Sequence, residues 1–219
     1  MNQHQLNKNT PKLSLLLLSS TVSIIWFALI LQIAIAIPVH LAQGRSLGGT
    51  LVLLFSYFTI LINLLAAISL SVIVLKPKSN GAVYFLQSRV FAGITLYITI
   101  VGLTYNLVLR QLWQPVGLFK LADELLHSID PLLFVICWLL FAPKTVLKWG
   151  QALNWLWVPF IYSVYIFIRG AISHLYPYPF MDIDKFGIQQ VIINSGVMLI
   201  AFLVIGLLLV WINNIIAKR

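Results

Sequence analysis

Residues 13–37 read LSLLLLSSTVSIIWFALILQIAIAI, and this stretch decides the class of fold. It contains no charged residue, and Pro38 follows it directly. A helix needs about 20 largely apolar residues to cross the hydrocarbon core of a bilayer, and this run exceeds that length. Because the run is also longer than the apolar core of a signal peptide, we predict that it is a retained transmembrane helix.

Five further apolar runs follow along the chain, so we predict an all-α polytopic membrane protein with six transmembrane helices. Hydrophobic residues make up 61% of the chain and charged residues 9%, whereas a soluble domain carries about a quarter charged residues. Residues 13–217 are predicted to form one helical bundle behind a polar, disordered cytoplasmic tail at 1–12. The predicted transmembrane helices are 13–37, 49–75, 90–109, 121–142, 152–168 and 187–216.

The basic residues predict the orientation of these helices. Nine of the 14 Lys and Arg residues fall on the side that holds both termini, and five fall on the other side. By the positive-inside rule, this distribution predicts that both termini are cytoplasmic. A net charge of +9 would suggest nucleic acid in a soluble protein, but here the basic residues flank apolar runs. We therefore expect membrane lipids, and no nucleic acid, as partners.

The fourth predicted helix carries the densest group of ionisable residues, in the sequence ADELLHSIDP at 122–131. Asp123, His127 and Asp130 share one helical face, and Glu124 lies three residues before the histidine. A carboxylate beside a histidine fixes its tautomer and raises its basicity, which is the chemistry of a general base with an orienting acid. The alternative is an ordinary helix start, where acids in the first turn favour the helix dipole.

Metal binding by this group is a further alternative, since Glu-x-x-His occurs as a ligand spacing in helical bundles. Such sites need matching Glu and His residues from other helices, and the other predicted helices carry no buried Glu. The single Cys137 excludes an intrachain disulfide and a cysteine metal site. We expect no metal and no cofactor.

Polar stripes also run along the second and third predicted helices. Thr59 and Asn63 lie one helical turn apart, with Ser56 a turn before them. Asn106 and Arg110 end a similar stripe in the third helix. Polar groups at membrane depth are candidates for function, although small polar residues also form packing seams between helices. The predicted polar pocket consists of Asn63, Asn106, Arg110, Asp123 and Asp130.

The segment before the sixth predicted helix, HLYPYPFMD at 174–182, alternates aromatic residues with proline. Its two prolines favour an extended backbone, which cannot cross lipid. We predict a rigid aromatic cap across the outer end of the bundle, and the alternative is a plain anchor at the membrane interface. The cap residues are Tyr176, Pro177, Tyr178, Pro179, Phe180 and Asp182.

Several motifs combine in this chain: FSYFTILINLL at 55–65, LLHSIDP at 125–131, WLLFAPK at 138–144, and Arg169-Gly170 before YPYPFMD at 176–182. Together they resemble the bacterial six-span membrane proteins called Pr-six-Pr. These proteins are remote relatives of the animal androgen-induced and androgen-dependent transmembrane hydrolases. The resemblance extends over nearly the whole chain from the first predicted helix on, and it implies a multi-pass protein of the bacterial inner membrane.

The animal members are membrane enzymes that cleave fatty acid esters of hydroxy fatty acids with a threonine nucleophile and a histidine. By position in the motifs, the resemblance implies Thr59 as the nucleophile and His127 as the histidine. Glu124 stands where the animal proteins carry a second histidine. The resemblance thus implies a hydrolase of lipid or fatty-acid esters that works inside the membrane.

The expected chemistry starts with transfer of the Thr59 proton to His127 and attack of the threonine oxygen on an acyl carbonyl. Asp130 or Asp123 would orient the imidazole, and Asn63, or a hydroxyl or amide of the third helix, would donate to the oxyanion. The alternatives are a lipid-binding protein or transporter with the same polar pocket, and a structural membrane protein whose polar residues hold helices together.

Overall fold

The computed structural model describes residues 12–218, with side chains described from residue 15 onward. Within that range the chain is all-helical and contains no strand. Six helices are long and apolar enough to cross a membrane, which confirms the predicted number and indicates a membrane protein. Apart from Lys12, the predicted tail at 1–12 lies outside the described residues. The six helices that could cross a membrane are Leu15–Ala42, Phe58–Leu75, Ser88–Leu109, Gly117–Phe141, Gln151–Ser173 and Ile183–Ala217.

Several of these helices are composite, so each regular segment receives its own label. The two π-helical segments are π1 (Tyr105–Leu109), which continues α5, and π2 (Leu125–Ile129), which joins α6 to α7. The α-helices are α1 (Lys12–Ala42), α2 (Leu47–Leu54), α3 (Phe58–Leu75), α4 (Asn80–Phe85), α5 (Ser88–Thr104), α6 (Gly117–Glu124), α7 (Asp130–Phe141), α8 (Gln151–Trp155), α9 (Trp157–Ser173) and α10 (Ile183–Ala217).

Helix α5 lies at the centre of the bundle, because it packs against α3, α7 and α10. Helix α1 covers α3 and α7 from the other side. Small residues permit these close approaches, as between helices in membranes generally. Gly93 of α5 is one example, since a Cβ there would lie 2.7 Å from Nε1 of Trp155. Large apolar side chains of α9 and α10 point outward, as a lipid-facing surface requires.

The first transmembrane helix extends past its predicted end at residue 37. It continues through Pro38 to Ala42 and ends where Gly44 adopts a left-handed conformation with φ of 81°. The N–H of Arg45 then closes the end by donating to the carbonyl of His40 at 3.1 Å. A proline removes one backbone donor but need not end a membrane helix, which is why the predicted boundary was wrong.

The second predicted helix, 49–75, is broken in the structure. Its backbone leaves the helix at 55–57, and Tyr57 is extended with φ of −78° and ψ of 125°. The hydroxyl of Tyr162 donates to the carbonyl of Ser56 at 2.9 Å, so this carbonyl is paired despite the break. Ser56 therefore does not share a helical face with Thr59, and that part of the predicted stripe was wrong.

The other predicted boundaries shift by up to five residues. The third helix starts at Ser88 rather than residue 90, and the fourth spans Gly117–Phe141 rather than 121–142. The fifth extends from 152–168 to Gln151–Ser173. The sixth is Ile183–Ala217, and its backbone kinks at Gly187 (φ 75°, ψ 156°), which is the predicted start of 187–216. Apolar runs mark the hydrocarbon region, whereas a helix continues into the polar interface for as long as its backbone bonds allow.

The loop between α7 and α8 is tied to the bundle by side chains. Asn214 accepts from the backbone N–H of Leu147 at 2.7 Å and donates to its carbonyl at 2.9 Å. Lys144 donates to the carbonyls of Trp138 and Ala142 at the end of α7, as basic residues do at helix C-termini. Burial lowers the pKa of the Lys144 ammonium from 10.5 to about 8.

Lys144 should therefore titrate well below an ordinary lysine. We expect its ¹³C-dimethylamine resonance to change with a midpoint near pH 8 in the folded protein and to return towards 10.5 in the denatured chain. Burial penalises the charged amine, so the free energy of unfolding should decrease as the pH falls from 10.5 to 8. This resonance should be absent from the Lys144→Arg variant, which assigns it to Lys144. A folded-state midpoint at 10 or above would contradict the burial.

Candidate catalytic site

Thr59 and His127 meet inside the bundle. Thr59 is the second residue of α3 and is 5% exposed, while His127 lies in the middle of π2. The Thr59 hydroxyl oxygen lies 3.2 Å from Nε2 of His127. A hydroxyl and an imidazole at this distance have the geometry of a nucleophile and its general base.

Asp123 holds the other side of the imidazole. Nδ1 of His127 lies 2.9 Å from the backbone carbonyl of Asp123 and 3.0 Å from its carboxylate oxygen. Both partners accept, so Nδ1 carries the proton and Nε2 presents its lone pair to the hydroxyl of Thr59. Thr59, His127 and Asp123 thus lie in series as a hydroxyl, an imidazole and a carboxylate, the relative positions found in catalytic triads, and are called the triad below.

The π2 segment leaves two backbone carbonyls that need side-chain donors. The N–H of Asp130 reaches back to the carbonyl of Leu125, one residue further than in an α-helix. Pro131, the next residue, has no N–H to offer the carbonyl of His127. Asn106 supplies that donor at 3.2 Å, and Asn63 donates to the carbonyl of Leu126 at 3.2 Å.

Asn63 is fully buried and acts as a tie between helices. Its side-chain amide donates to the carbonyl of Thr59 at 2.9 Å as well as to that of Leu126. An amide group has two N–H donors, and both are used. Asn63 therefore has no N–H left to offer an oxyanion in this arrangement.

Asp130 lies away from the imidazole of His127, although the sequence predicted the two residues on one helical face. Its side chain is fully buried, and neither carboxylate oxygen has a hydrogen-bond partner among the described residues. Of the two acids that the sequence offered as orienting groups, the structure brings Asp123 to His127. The π-helical turn between His127 and Asp130 widens the helix and separates their faces.

Tyr105 forms the back wall of the imidazole, and nothing in the sequence singles it out. Its ring stacks on that of His127 with centroids 4.3 Å apart, and its hydroxyl donates to the carboxylate of Asp123. The guanidinium of Arg110 lies 5.3 Å from the Tyr105 ring and pairs with Glu124. An aromatic residue in an apolar run carries no signal of its own.

Asn106 and Arg110 support the site from outside. Both are exposed, and neither lines a cavity at the Thr59–His127 pair. Both contact Ser128, the residue next to the histidine, at 3.3 and 3.2 Å. They belong to a polar cluster that holds π1 against π2, rather than to the pocket itself.

Tyr178, from the segment 174–182, reaches the hydroxyl of Thr59. Its own hydroxyl accepts from the backbone N–H of Thr59 at 3.2 Å and lies 3.3 Å from the threonine oxygen. Its ring stacks on Phe180 with centroids 5.4 Å apart. Burial raises the pKa of the Tyr178 phenol above its usual value, so at neutral pH the phenol keeps its proton and can donate it.

The rest of the proline-rich segment packs around Tyr178. Pro177 and Pro179 line the same cavity as the triad, and Tyr176 packs on Gly170 so closely that a Cβ there would lie 2.0 Å from the ring. Asp182 ends the segment and caps α10 by accepting from the N–H of Lys185 at 3.0 Å. The segment therefore lies across the site as a compact cover.

Two cavities open from the triad. Thr59, Leu109, His127 and Tyr178 line both of them. The smaller has a volume of about 60 Å³ and runs towards α5 and α10, and the larger has about 710 Å³ and runs towards α1 and the loop before α6. A reacting group bound at Thr59 would therefore have space on two sides.

No group of three His, Cys, Asp or Glu side chains among the described residues could hold a metal ion. Glu124, the acid in the Glu-x-x-His spacing, faces Arg110 and Ser128 instead of converging with His127 on one point. The polar groups near the imidazole are hydrogen-bonded to it and to one another.

Comparisons with protein-family models, with curated proteins and with solved structures each find no match for this chain. The described residues define the class as all-helical, with six helices apolar enough to cross a membrane. Any inference about the chemistry of the site therefore depends on the geometry of its side chains.

The two aspartates provide a matched test of the triad. Asp123→Asn should lower the rate at which a fluorophosphonate labels Thr59 by about 10²- to 10⁴-fold, because an amide can donate to Nδ1 and favour the wrong tautomer. Asp130→Asn should leave the rate unchanged and raise the unfolding temperature, since it removes a buried, unpaired acid. Equal loss of labelling in both variants would contradict the assignment.

Proposed function

We propose that this protein is an intramembrane hydrolase of lipid or fatty-acid esters, with Thr59 as nucleophile, His127 as base and Asp123 as orienting acid. The observation that carries the proposal is the continuous series of contacts from the threonine hydroxyl through the imidazole to the carboxylate, at 3.2 and 3.0 Å. A series of this kind is needed for activating a hydroxyl and is not needed for helix packing.

The first half of the reaction acylates the threonine. The Thr59 proton moves to Nε2 of His127 while the threonine oxygen forms a bond to the carbonyl carbon of the ester. The tetrahedral oxyanion then collapses and breaks the bond to the leaving alkoxide, which takes the proton from His127. The alcohol departs, and an acyl ester of Thr59 remains.

The second half consumes one water. His127 removes a proton from the water, whose oxygen attacks the acyl carbon, and the bond to Thr59 breaks as the proton returns to the threonine oxygen. The fatty acid leaves and the enzyme is restored. In both halves the phenol of Tyr178 is the candidate oxyanion donor, because its hydroxyl lies 3.3 Å from the threonine oxygen and retains its proton.

The surroundings of the triad support a lipid substrate. Both cavities are lined mainly by apolar and aromatic side chains, and they lie between helices long enough to cross a bilayer. Acyl chains dissolved in a membrane would reach such a site laterally, without passing through water. Membrane lipids are accordingly the proposed partners.

The motif resemblance to the bacterial Pr-six-Pr proteins, and through them to the animal transmembrane hydrolases, supports the same roles for Thr59 and His127. With that resemblance we propose the bacterial inner membrane as the location. The distribution of the basic residues, nine against five, supports cytoplasmic termini, which would put the triad in the outer half of the membrane.

A lipid-binding protein without catalysis is the second candidate, favoured by the cavity of about 710 Å³. A binding cavity of that size needs no hydroxyl–imidazole contact at its wall. The two functions differ in their use of Thr59, because binding alone would tolerate loss of its hydroxyl.

Thr59→Ala and His127→Ala should each lower hydrolysis of a long-chain ester by about 10³-fold or more, measured as fatty acid released by the purified protein. The double variant should be little worse, because nucleophile and base act as a unit. Thr59→Ser should keep part of the activity, and Tyr178→Phe should lose about 10²-fold.

Thr95→Ala provides the matched control, since Thr95 is a buried threonine of α5 that bonds to its own helix and lines neither cavity. It should retain full activity. If the wild-type protein releases no fatty acid from any acyl ester and a fluorophosphonate leaves Thr59 unlabelled, the hydrolase proposal fails and lipid binding replaces it.

The orientation has its own test in two uncharged, exposed positions. Asn80→Cys, at the start of α4 between the second and third transmembrane helices, should react with an impermeant maleimide only after the cells are opened. Ser173→Cys, at the end of the fifth, should react in intact cells. Cys137 is buried and gives a low background. The reverse labelling pattern would overturn the proposed topology.

A further inference from the structure

The two cavities differ in what lines them, and this difference bears on the substrate. The smaller has a volume of about 60 Å³ and the larger about 710 Å³. They meet at Thr59 and His127, where the carbonyl carbon of an ester would react. An ester has one substituent on each side of that carbon, an acyl chain and an alcohol, so each cavity can take one of them.

The smaller cavity is a narrow chamber with a mainly apolar wall, in which the Oγ of Ser195 is buried without a hydrogen-bond partner among the described residues. Ile100 and Val101 of α5, Met198 and Phe202 of α10, and Phe180 of the cover form much of its wall. Hydrocarbon gains from burial against such a wall, and a polar group placed there would lose hydrogen bonds to water. Its volume of about 60 Å³ has room for the first carbons of an acyl chain.

The larger cavity is a wide chamber with polar groups spaced along it. Gln32, His40 and Gln43 reach it from the end of α1, and Gln114 from the loop before α6. Nδ1 of His40 is buried and has no hydrogen-bond partner among the described residues. A hydrocarbon chain here would leave Nδ1 of His40 unpaired, whereas an alcohol with several hydroxyls would pair with it and with the exposed amides of Gln43 and Gln114.

The charge and shape of the wide chamber restrict further which alcohols could bind there. Within the described part of the chain no Lys or Arg lines the wide chamber, and Asp123 is the acid on its wall, so a phosphate head group would find no basic partner there. Trp113, Tyr57 and Phe119 add flat aromatic faces, which suit the C–H faces of a ring bearing hydroxyls.

We propose that the narrow chamber binds the acyl chain and the wide chamber binds the alcohol, and that the substrate is a monoacyl ester of an uncharged polyol, such as a sugar. This inference rests on the proposed function. Departure of the polyol would empty the wide chamber, through which water then reaches the acyl ester of Thr59. The narrow chamber would keep the acyl chain in place during that step.

Three esters with one and the same acyl chain test the alcohol side: a sugar monoester, a simple ethyl ester and a lysophospholipid. We expect kcat/KM to be at least tenfold higher for the sugar ester than for either of the others. Gln114→Leu should lower the sugar-to-ethyl ratio of kcat/KM by about tenfold, the worth of one good hydrogen bond. Gln111→Leu is the matched control in the same loop, since Gln111 lines neither cavity and should leave the ratio unchanged.

A chain-length series of acyl esters tests the acyl side. Met198→Trp fills the narrow chamber and should shift the preferred acyl chain to a shorter one. Val197→Trp, its neighbour, is 60% exposed, lines neither cavity and should leave the preference unchanged.

Hydrolysis of ethyl esters without a preference for the sugar ester would overturn this inference and leave the hydrolase proposal standing. Preference for the lysophospholipid would overturn it in favour of a charged head group. A Met198→Trp variant that changes the alcohol preference instead of the acyl preference would reverse the two chambers and so overturn the assignment. No turnover of any ester would overturn the proposed function, and this inference with it.

Discussion

The need to pair every backbone carbonyl inside the bundle determines how this site is built. In hydrocarbon there is no water to satisfy a free carbonyl, so each one must find a donor within the protein. The π-helical turn before Pro131 frees the carbonyls of Leu126 and His127, and Asn63 and Asn106 pair with them. These two amides connect α3 and π1 to the turn that carries the histidine. The distance between the hydroxyl of Thr59 and the imidazole depends on those connections.

The same need accounts for the tyrosines around the broken second helix. Where the backbone leaves the helix at 55–57, Tyr162 pairs with a carbonyl and Tyr178 pairs with the N–H of Thr59. The break makes Thr59 a first-turn residue, so its N–H has no partner within its own helix. Thr59 and His127 therefore both lie where a long apolar helix departs from regular α geometry, and each departure is stabilised by side chains from other segments.

Much of this architecture could be predicted from the sequence, because uncharged apolar runs of about 20 residues are typical of transmembrane helices and rare elsewhere. The six helices and the ionisable group at 123–130 followed directly, and the motif resemblance pointed to Thr59 and His127. The break at 55–57 could not be predicted, since neither glycine nor proline marks it. The separation of Asp123 from Asp130 could not be predicted either, because a helical face drawn with 3.6 residues per turn fails across a π-helical turn. Contacts such as that of Tyr105 with the imidazole depend on packing between distant segments.

The contact between Gly170 and Tyr176 restricts how chains of this fold can diverge. With a Cβ at position 170 only 2.0 Å from the tyrosine ring, any larger residue there would expel the ring and move the segment that carries Tyr178. The two positions must therefore change together: a side chain can be gained at 170 only where the aromatic ring at 176 is lost. In an alignment of homologues, this pair should covary more strongly than either position does with the triad, and a glycine at 170 would mark the chains that retain the cover.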